Sequence, residues 1–436
     1  MELRELGYSN KMMFYRGAGH STTFSNRMSF TLTRPVNLEH LKLAAKKTFE
    51  AYPNFAFRPV IKDNKVWKID NSDKEIAFFD DPDVRHYYGT DDTNGYLFYF
   101  LITGEKSFSV LFFHGMTDFK GSWPIWKTLL YHYAKLEGFD VQPDEDVRLH
   151  ASPEAEGLVN PYAVLADESI APSWKFKAEN LFHMTPEVED IYPEERDQMH
   201  SYEIMLNLKQ FIAKTKELGV SFVPLLVTCT TLDVYDTYKP EDQTIIAKIP
   251  VDLRHLYNIW TDENCSESFI LPITPELRVK SLPEICTELS GFMKAQLHKE
   301  NYGSVVARKV NTVKGFENGT KSIEEIEREN SNAHSNEGSN PDTYVITYPG
   351  RVTLRPEYYQ LVERVQMEPH ATTDGFYIFV GANEEDITFR LTQRFDSDKL
   401  VQSISRRFSE AGIDNYINDV GIISCEKMLV ERLIHE

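Results

Sequence analysis

His114 and Asp118 form an H-x-x-x-D pair whose residue types and position could support acid–base chemistry. The apolar run Ser107–Phe113 predicts a buried strand that ends at the histidine, and a helix is predicted at Trp123–Leu136. Imidazole has an ordinary pKa of about 6.5, so it can accept a proton at neutral pH. A histidine just beyond a strand end faces a crevice, which makes His114 the candidate general base.

The same spacing recurs at His370-Ala371-Thr372-Thr373-Asp374, so five residues with two fixed positions are a weak signal. On the pattern alone, a polar loop at a strand end is the alternative interpretation. Context separates the two copies, since His370 follows Glu368-Pro369 and precedes a predicted strand, whereas His114 ends a strand and precedes a helix. We therefore predict catalysis at His114 and a place in the wall of a binding site for His370.

Strand and helix patterns alternate in both halves of the chain, which predicts an α+β fold. Strands are predicted at Arg27–Thr33, Phe55–Ile61, Lys65–Ile69, Tyr96–Ile102, Ser107–Phe113, Ser201–Leu208, Thr244–Val251, Tyr344–Ile346, Gly375–Gly381 and Asp386–Gln393. Helices are predicted at 38–52, Trp123–Leu136, Leu208–Leu218, Val223–Tyr238 and Ser397–Ala411.

The length of 436 residues predicts two domains of roughly 200 residues each. We place the first at 1–165, a bridge rich in proline and acidic residues at 166–199, and the second at 200–436. Residues near 317–342 contain many Asn, Ser, Glu and Gly and hardly any apolar anchor, which predicts a mobile surface loop or a frayed helix.

Composition excludes several classes of protein. With 47 basic and 67 acidic residues the net charge is −20, so nucleic acid and anionic membrane surfaces are unfavourable partners. No stretch approaches the roughly 20 apolar residues of a membrane span. Four scattered cysteines without a C-x-x-C pair predict reduced thiols in a cytoplasmic protein and no zinc site. Neither a G-x-S-x-G elbow nor a P-loop is present.

Several segments occur in an order that resembles a known family. They are Val36–Arg58, the strand and loop around His114 and Asp118, Leu206–Ser221, Ile249–Arg254 and Tyr348–Val352. This order is similar to the condensation-domain and alcohol acetyltransferase branch of the coenzyme A-dependent acyltransferase superfamily. The similarity extends from about residue 25 to 410 and is therefore more specific than the H-x-x-x-D pair alone.

The resemblance implies two chloramphenicol acetyltransferase-like lobes that meet in a V, with a tunnel between them and His114 midway. His114 would deprotonate an alcohol or amine that attacks the thioester of acyl-CoA, a co-substrate, with no permanently bound cofactor and no metal. Asp118 would brace the loop by pairing with an arginine, for which Arg58 and Arg254 are both candidates. Gly121 would support the turn into the next helix.

The sequence also departs from the family pattern. Phe113 replaces a first histidine, Phe119 stands where glycine is usual, and Tyr348-Pro349-Gly350 replaces a more polar Ser-Asn-x-Gly element. We expect Phe113, Phe119, Gly350 and His370 to line the tunnel.

Two functions follow as expectations. The first is transfer of an acyl group, acetyl being the expected one, from CoA to a small alcohol or amine by a monomer, with a carrier protein as an alternative donor. The second is a catalytically degenerate member that binds an acylated small molecule or carrier protein without turnover. Phe119 favours the second function and His114 the first.

Overall fold

The structure is a computed structural model that describes residues 2–15, 24–152, 157–169, 176, 180–185, 188–191, 198–326, 329, 342–371, 375–383, 385–424 and 430–435. The strands are β1 (Arg4–Glu5), β2 (Phe24–Leu32), β3 (Phe57–Lys62), β4 (Lys65–Asp70), β5 (Phe78–Phe79), β6 (Phe98–Gly104), β7 (Ser107–Phe113), β8 (Gln198–Asn207), β9 (Ile245–Asp252), β10 (Ser266–Ile273), β11 (Tyr344–Thr347), β12 (Val362–Ala371), β13 (Phe376–Ala382), β14 (Asp386–Gln393), β15 (Asn415–Ser424) and β16 (Ile434–His435). The helices are α1 (Tyr8–Tyr15), α2 (Leu38–Ala51), α3 (Phe119–Leu136), α4 (Pro161–Leu165), α5 (Leu208–Leu218), α6 (Phe222–Tyr238), α7 (Leu253–Tyr257), α8 (Pro275–Arg278), α9 (Leu282–Gln296), α10 (Gly303–Glu317) and α11 (Lys399–Glu410).

The first lobe is built around a five-stranded sheet with the order β12-β2-β7-β6-β5. Helices α2 and α3 pack against each other beside this sheet. In α2, Leu41, Ala44, Ala45, Thr48 and Phe49 recur at helical spacing and are all buried. The helix begins where the Asn37 side chain accepts a hydrogen bond from the His40 backbone N–H. A four-stranded sheet of order β1-β4-β3-β16 completes the lobe.

The second lobe is built around a seven-stranded sheet with the order β10-β9-β11-β13-β14-β8-β15. Strands β9, β11 and β13 run parallel, and the remaining neighbours are antiparallel. Helices α6, α9 and α11 cover its apolar face, with Leu226, Leu289 and Ile404 among the buried residues. The predicted α+β class with two lobes is therefore confirmed, although β10, β12, β15, α9 and α10 were not predicted.

Strands cross between the two halves of the sequence. β12 pairs with β2 over nine residue pairs, and β16 pairs with β3, so the second half of the chain supplies an edge strand to each sheet of the first lobe. The division at 1–165, 166–199 and 200–436 remains a prediction, because the sheets do not separate at those boundaries.

The stretch near 317–342, predicted to be a mobile loop or a frayed helix, is helical at 323–326. Ile323 and Ile326 are buried in the core of the first lobe and anchor the chain after α10. The stretch from 330 to 341 lies outside the described residues.

Among the described residues no single helix is long and apolar enough to cross a membrane. Helices α5 and α6, which are bent by 94° relative to each other, have the necessary length and composition only when the two are taken together. No group of three or more His, Cys, Asp or Glu side chains in the same part of the chain is arranged to hold a metal ion.

Candidate active site

His114 directly follows β7, a central strand of the first-lobe sheet between β2 and β6. Five of the seven residues of β7 are apolar and almost fully buried, namely Phe108, Val110, Leu111, Phe112 and Phe113. The buried strand holds the backbone rigidly up to the point where the chain leaves the sheet. The His114 side chain is half-buried, so the imidazole is positioned by the core but is not enclosed in it.

Asn264, from the loop before β10, holds the His114 imidazole from the second lobe. Its Nδ2 donates to His114 Nδ1 at 3.2 Å and to the His114 carbonyl at 3.4 Å, while the Ser266 hydroxyl donates to its Oδ1 at 3.1 Å. An amide nitrogen only donates, so in this arrangement the neutral ring carries its proton on Nε2. A half-turn of the amide would present Oδ1 to Nδ1–H and leave the lone pair on Nε2.

The Asn264 side chain therefore controls which ring nitrogen is basic. It is 1% exposed, so its orientation is set by the surrounding protein. Sequence reasoning missed this residue, since a single asparagine in an irregular loop has no period or spacing that relates it to His114.

Asp118 starts helix α3 and accepts three hydrogen bonds. Its Oδ1 accepts from the Gly121 backbone N–H at 2.9 Å, and its Oδ2 accepts from the Cys265 backbone N–H at 2.7 Å and from Arg254 Nη1 at 3.0 Å. Burial alone would raise the pKa of the Asp118 carboxyl, but the Arg254 charge and these donors outweigh it and hold the pKa below its ordinary value. Both oxygens of the carboxylate therefore accept hydrogen bonds from protein donors.

Arg254, rather than Arg58, is the partner of Asp118. The Arg254 guanidinium is buried and also donates to Asp252 Oδ1 at 2.9 Å, which helps to raise its pKa despite the opposing effect of burial. Arg58 instead pairs with Asp91 at 2.9 Å, and the Asp91 side chain is 95% exposed. The alternative that Arg58 pairs with Asp118 is therefore not what the structure has.

The His114 loop is anchored to both lobes by buried polar side chains. Asn10 of α1 donates to the carbonyls of Gly115 and Met116, both at 3.0 Å, and to Glu263 Oε2 at 2.8 Å. The Thr117 hydroxyl donates to the Asp262 carbonyl at 2.6 Å. The loop 261–265 of the second lobe, which we call the bracing loop, therefore bonds directly to His114, Thr117 and Asp118, and Asn10 links it through Glu263 to Gly115 and Met116.

Gly121 lies where helix α3 touches the bracing loop. A Cβ at this position would lie 2.2 Å from the Asp262 carbonyl oxygen and 2.3 Å from Thr117 Oγ1, which is far inside van der Waals contact. Glycine is thus required by close approach of the two lobes and not by backbone conformation.

Replacing Gly121 by alanine should therefore push the bracing loop away from α3. We expect a loss of stability of about 1 to 3 kcal/mol, the usual cost of overpacking, together with loss of activity. Urea unfolding measures the first effect. Gly138→Ala is not a clean control because Gly138 has φ +83°, but Gly291 in α9 has open space around its Cβ position, and Gly291→Ala should be neutral or stabilising. Equal stability of Gly121→Ala and wild type would contradict this account of the contact.

Asp262 of the bracing loop is a buried carboxyl with a perturbed pKa. Arg148 Nη2 donates to its Oδ2 at 2.7 Å, but Oδ1 has no hydrogen-bond donor within the described part of the chain. Burial raises the pKa of Asp262 to about 6, and the attraction of Arg148 only partly offsets this. The folded state thus binds the proton more tightly than the unfolded state does.

The stability contribution of Asp262 should therefore increase as the pH falls through 6 toward 4. Above pH 6 the charged form costs about 3 kcal/mol, a cost that Asp262→Asn removes. We expect the variant to be more stable than wild type at pH 7.5 and to lose most of that advantage at pH 4.5, as measured by denaturant unfolding. Asp91→Asn, at an exposed carboxyl, is the control. A difference that does not vary with pH would contradict the assignment.

The four residues predicted to line a tunnel have different positions. Phe113 is 1% exposed and packs edge-on against Phe14 in the first-lobe core, so its predicted place in a tunnel wall is corrected. Phe119 is half-buried in the first turn of α3 and stacks against Trp123.

Gly350 has φ +97°, and Lys120 Nζ lies 3.8 Å from the place where its Cβ would be, so the two lobes approach each other there. His370 lies within the backbone of β12, opposite Ser25, and its side chain is outside the described residues. The tunnel itself remains a prediction.

Comparison with known proteins gives structural matches only. No protein-family model and no curated protein sequence matches the chain. Polyketide synthase associated protein 5 from Mycobacterium tuberculosis is similar over 94% of this chain and 97% of its own, with a TM-score of 0.62 and 14% identity. The first condensation domain of the CDA synthetase is similar over 94% and 95%, with a TM-score of 0.60 and 11% identity.

Two further proteins, an acetyltransferase and a protein crystallised with a coenzyme A derivative, have the same architecture. TRI3 trichothecene 15-O-acetyltransferase from Fusarium sporotrichioides is similar over 94% of this chain and 94% of its own, with a TM-score of 0.59 and 12% identity. F. graminearum TRI101 complexed with ethyl coenzyme A is similar over 95% of this chain and 99% of its own, with a TM-score of 0.60 and 10% identity. At these identities the comparisons establish the fold. The chain therefore has the two-lobed, chloramphenicol acetyltransferase-like fold that is shared by condensation domains and coenzyme A-dependent acetyltransferases.

Proposed function

We propose that this chain is an acyltransferase that moves an acyl group, acetyl in the simplest case, from a coenzyme A thioester to an alcohol or amine. The observation that carries the proposal is the position of His114 at the end of a buried strand, half-exposed, with its Nδ1 held by Asn264 of the opposite lobe. Structural similarity to acetyltransferases and condensation domains supports acyl transfer in general.

In the proposed reaction, His114 is the general base. Its unprotonated ring nitrogen takes the proton of the acceptor O–H or N–H while the acceptor heteroatom attacks the thioester carbonyl carbon. The tetrahedral intermediate then collapses, its C–S bond breaks, and the imidazolium returns the proton to the departing thiolate. For Nε2 to act as the base, the ring must carry its proton on Nδ1, which requires the amide oxygen of Asn264 to face it.

The remaining residues of the site position this base. Asp118 and Arg254 join the start of α3 to the bracing loop, and the bracing loop carries Asn264 to the imidazole. Asp118 is therefore a positioning residue in this proposal. We also propose that the protein acts in the cytoplasm as a monomer, which agrees with the free thiols of the buried Cys229, Cys265 and Cys286.

The second candidate is a protein of the same fold that binds an acylated molecule, or an acylated carrier protein, without turnover. The observation that favours it is Phe119, a half-buried aromatic ring at the first turn of α3 where the resemblance leads us to expect glycine. The proposals differ in a measurable way, since both require binding and only the first requires release of the thiol.

Thiol release from acetyl-CoA, measured with a panel of alcohols and amines, tests both candidates. Product formation supports the enzyme, and acetyl-CoA binding by calorimetry without product over the whole panel supports the second candidate. If acetyl-pantetheine bound to a carrier protein reacts and acetyl-CoA does not, the donor in the proposal is wrong and the chemistry is retained. The absence of both binding and release would contradict both candidates.

A further inference from the structure

Polar side chains lie along part of one face of the first-lobe sheet, and on β7 the buried apolar residues Leu111 and Phe113 separate them from His114. Gln366 of β12 lies opposite Ser29 of β2, which lies opposite Ser109 of β7, and Glu368 lies opposite Arg27. Paired residues share one face of a sheet. The Ser109 hydroxyl is within 3.0 Å of Arg27 Nε, which donates to it, and within 2.9 Å of the Ser29 hydroxyl. A sheet face that packed as core would carry apolar residues here.

The second lobe meets this face with charged side chains that are also buried. Glu203 of β8 accepts from Arg390 at 2.6 Å and from Gln366 at 2.9 Å, and Arg390 reaches Glu368 at 2.7 Å. The side chains of Glu203 and Arg390 are 4% and 7% exposed. We call this set, Arg27, Ser29, Ser109, Glu203, Gln366, Glu368 and Arg390, the polar strip.

Buried ion pairs seldom stabilise a fold relative to apolar residues of similar volume, because removing both charges from water costs several kcal/mol. Their presence between the lobes therefore invites a functional explanation.

A cavity of about 30 Å³ opens beside the polar strip. Its polar walls come from Glu203, Arg364, Gln366, Thr388 and Arg390. Arg364 Nη2 lies 3.9 Å from Glu203 Oε1, which is beyond hydrogen-bond distance, and donates a weak hydrogen bond to Met205 Sδ at 3.6 Å. A cavity of this size holds one hydroxyl-sized group, placed where it could accept from a guanidinium and donate to a carboxylate.

We propose that the polar strip and its cavity recognise the hydroxyl groups of a polyhydroxylated acceptor, such as a sugar or sugar alcohol. The inference rests on the proposed acyl transfer and identifies its acceptor class. Positive and negative groups alternate along the strip, so an ion of either sign would meet a like charge. A hydroxyl group in the cavity can both accept from Arg364 and donate to Glu203, whereas an apolar group there would make neither hydrogen bond.

The spacing from His114 fits an acceptor larger than a short alcohol. Arg27 lies opposite Leu111, three residues before His114 on the same strand, which is roughly 10 Å along the strand. An acceptor with one hydroxyl at His114 and others at the strip would be about as long as a disaccharide.

Replacing Gln366 by leucine, which keeps the volume and removes the amide, tests the proposal. Maltitol serves as the hydroxyl-rich acceptor, and dodecanol has the same number of carbons with a single hydroxyl. We expect kcat/KM for maltitol to fall about tenfold to a hundredfold, the usual effect of losing a hydrogen bond that involves a charged group, with no fall for dodecanol. Ser29→Ala, a smaller change, should produce a smaller loss in the same direction. Gln402→Leu, at an exposed glutamine of α11, is the matched control.

Equal losses with both acceptors, or no loss with either, would overturn the proposal. If no acceptor is acylated at all, the proposed function fails, but the strip remains testable by saturation-transfer NMR of maltitol with wild type and Gln366→Leu. Maltitol binding that depends on Gln366 would then uphold the strip as a hydroxyl-binding site. Absent binding, or binding that is the same in both proteins, would reject it.

Discussion

Replacing His114 by alanine is expected to lower kcat for acyl transfer by about 10² to 10⁴-fold, the range that a positioned general base contributes. The fold should survive, because the imidazole is half-buried and makes its polar contacts with Asn264 alone among the described residues. Thiol release from acetyl-CoA, measured alongside the melting temperature, separates loss of chemistry from loss of structure.

Two other histidines make this test specific. His255 lies on α7 next to Arg254 and is exposed, so His255→Ala should retain wild-type activity. His370→Ala should cause a partial loss at most, since His370 shares the H-x-x-x-D spacing without following a strand end at the site. Equal thiol release by wild type and His114→Ala would reject His114 as the base, and complete loss in His370→Ala would transfer that role to His370.

Replacing Asp118 by alanine should lower the free energy of unfolding by roughly 3 to 5 kcal/mol, the usual consequence of leaving a buried charge without its partner. The variant leaves the Arg254 guanidinium in the interior with Asp252 as its remaining carboxylate, and it also removes the cap of α3. Activity should fall with stability, because the bracing loop loses the bonds from Arg254 and Cys265 that join it to the start of α3. Thermal and urea unfolding measure the effect.

The charge of Asp118 can be separated from its role as a cap. Asp118→Asn keeps an oxygen that can accept from the Gly121 N–H but removes the ion pair, so its loss of stability measures the pair. The folded state holds the pKa of Asp118 below its ordinary value, so wild type should be more stable than Asp118→Asn above about pH 4. This difference in stability should shrink as the pH falls below that value. Asp91→Ala, which breaks the exposed pair with Arg58, should leave the melting temperature unchanged. Lost activity in Asp118→Ala with no change in melting would indicate a direct chemical role instead.

Elements with a clear hydrophobic period could be predicted from the sequence. Helix α5 was predicted at Leu208–Leu218 and strand β14 at Asp386–Gln393, which are their bounds in the structure. Strand β12 was missed because its residues alternate between the first-lobe core and the polar strip, so that Arg364, Gln366 and Glu368 made the segment look like a surface loop. Periodicity identifies a face that packs against apolar neighbours, and it does not identify a face that packs against charges.

The candidate site could be predicted in part for a similar reason. His114, Asp118 and Gly121 lie close together in sequence, where strand and helix signals define their context. Asn264 and Asn10 reach the same site from 150 and 105 residues away, through contacts that depend on how the lobes pack. The choice between Arg58 and Arg254 was undecidable from one sequence, because Arg58 lies within a predicted strand, Arg254 follows another, and only tertiary structure brings Arg254 to Asp118.

The edge strands that the second half of the chain supplies to the first lobe, β12 and β16, limit how molecules can reach the interface between the lobes. β12 pairs with β2 along its full length, and its Gln366 side chain is hydrogen-bonded to Glu203 of the second lobe. A wide hinge motion that separated the lobes would therefore break the contacts of β12 with one of the two lobes. Each sheet hydrogen bond broken without replacement costs free energy, and such a ladder separates cooperatively. Access to His114 should consequently depend on local rearrangement of side chains and loops at the rim, and a chain severed between residues 165 and 198 should yield two fragments that remain associated, since neither has complete sheets without the other.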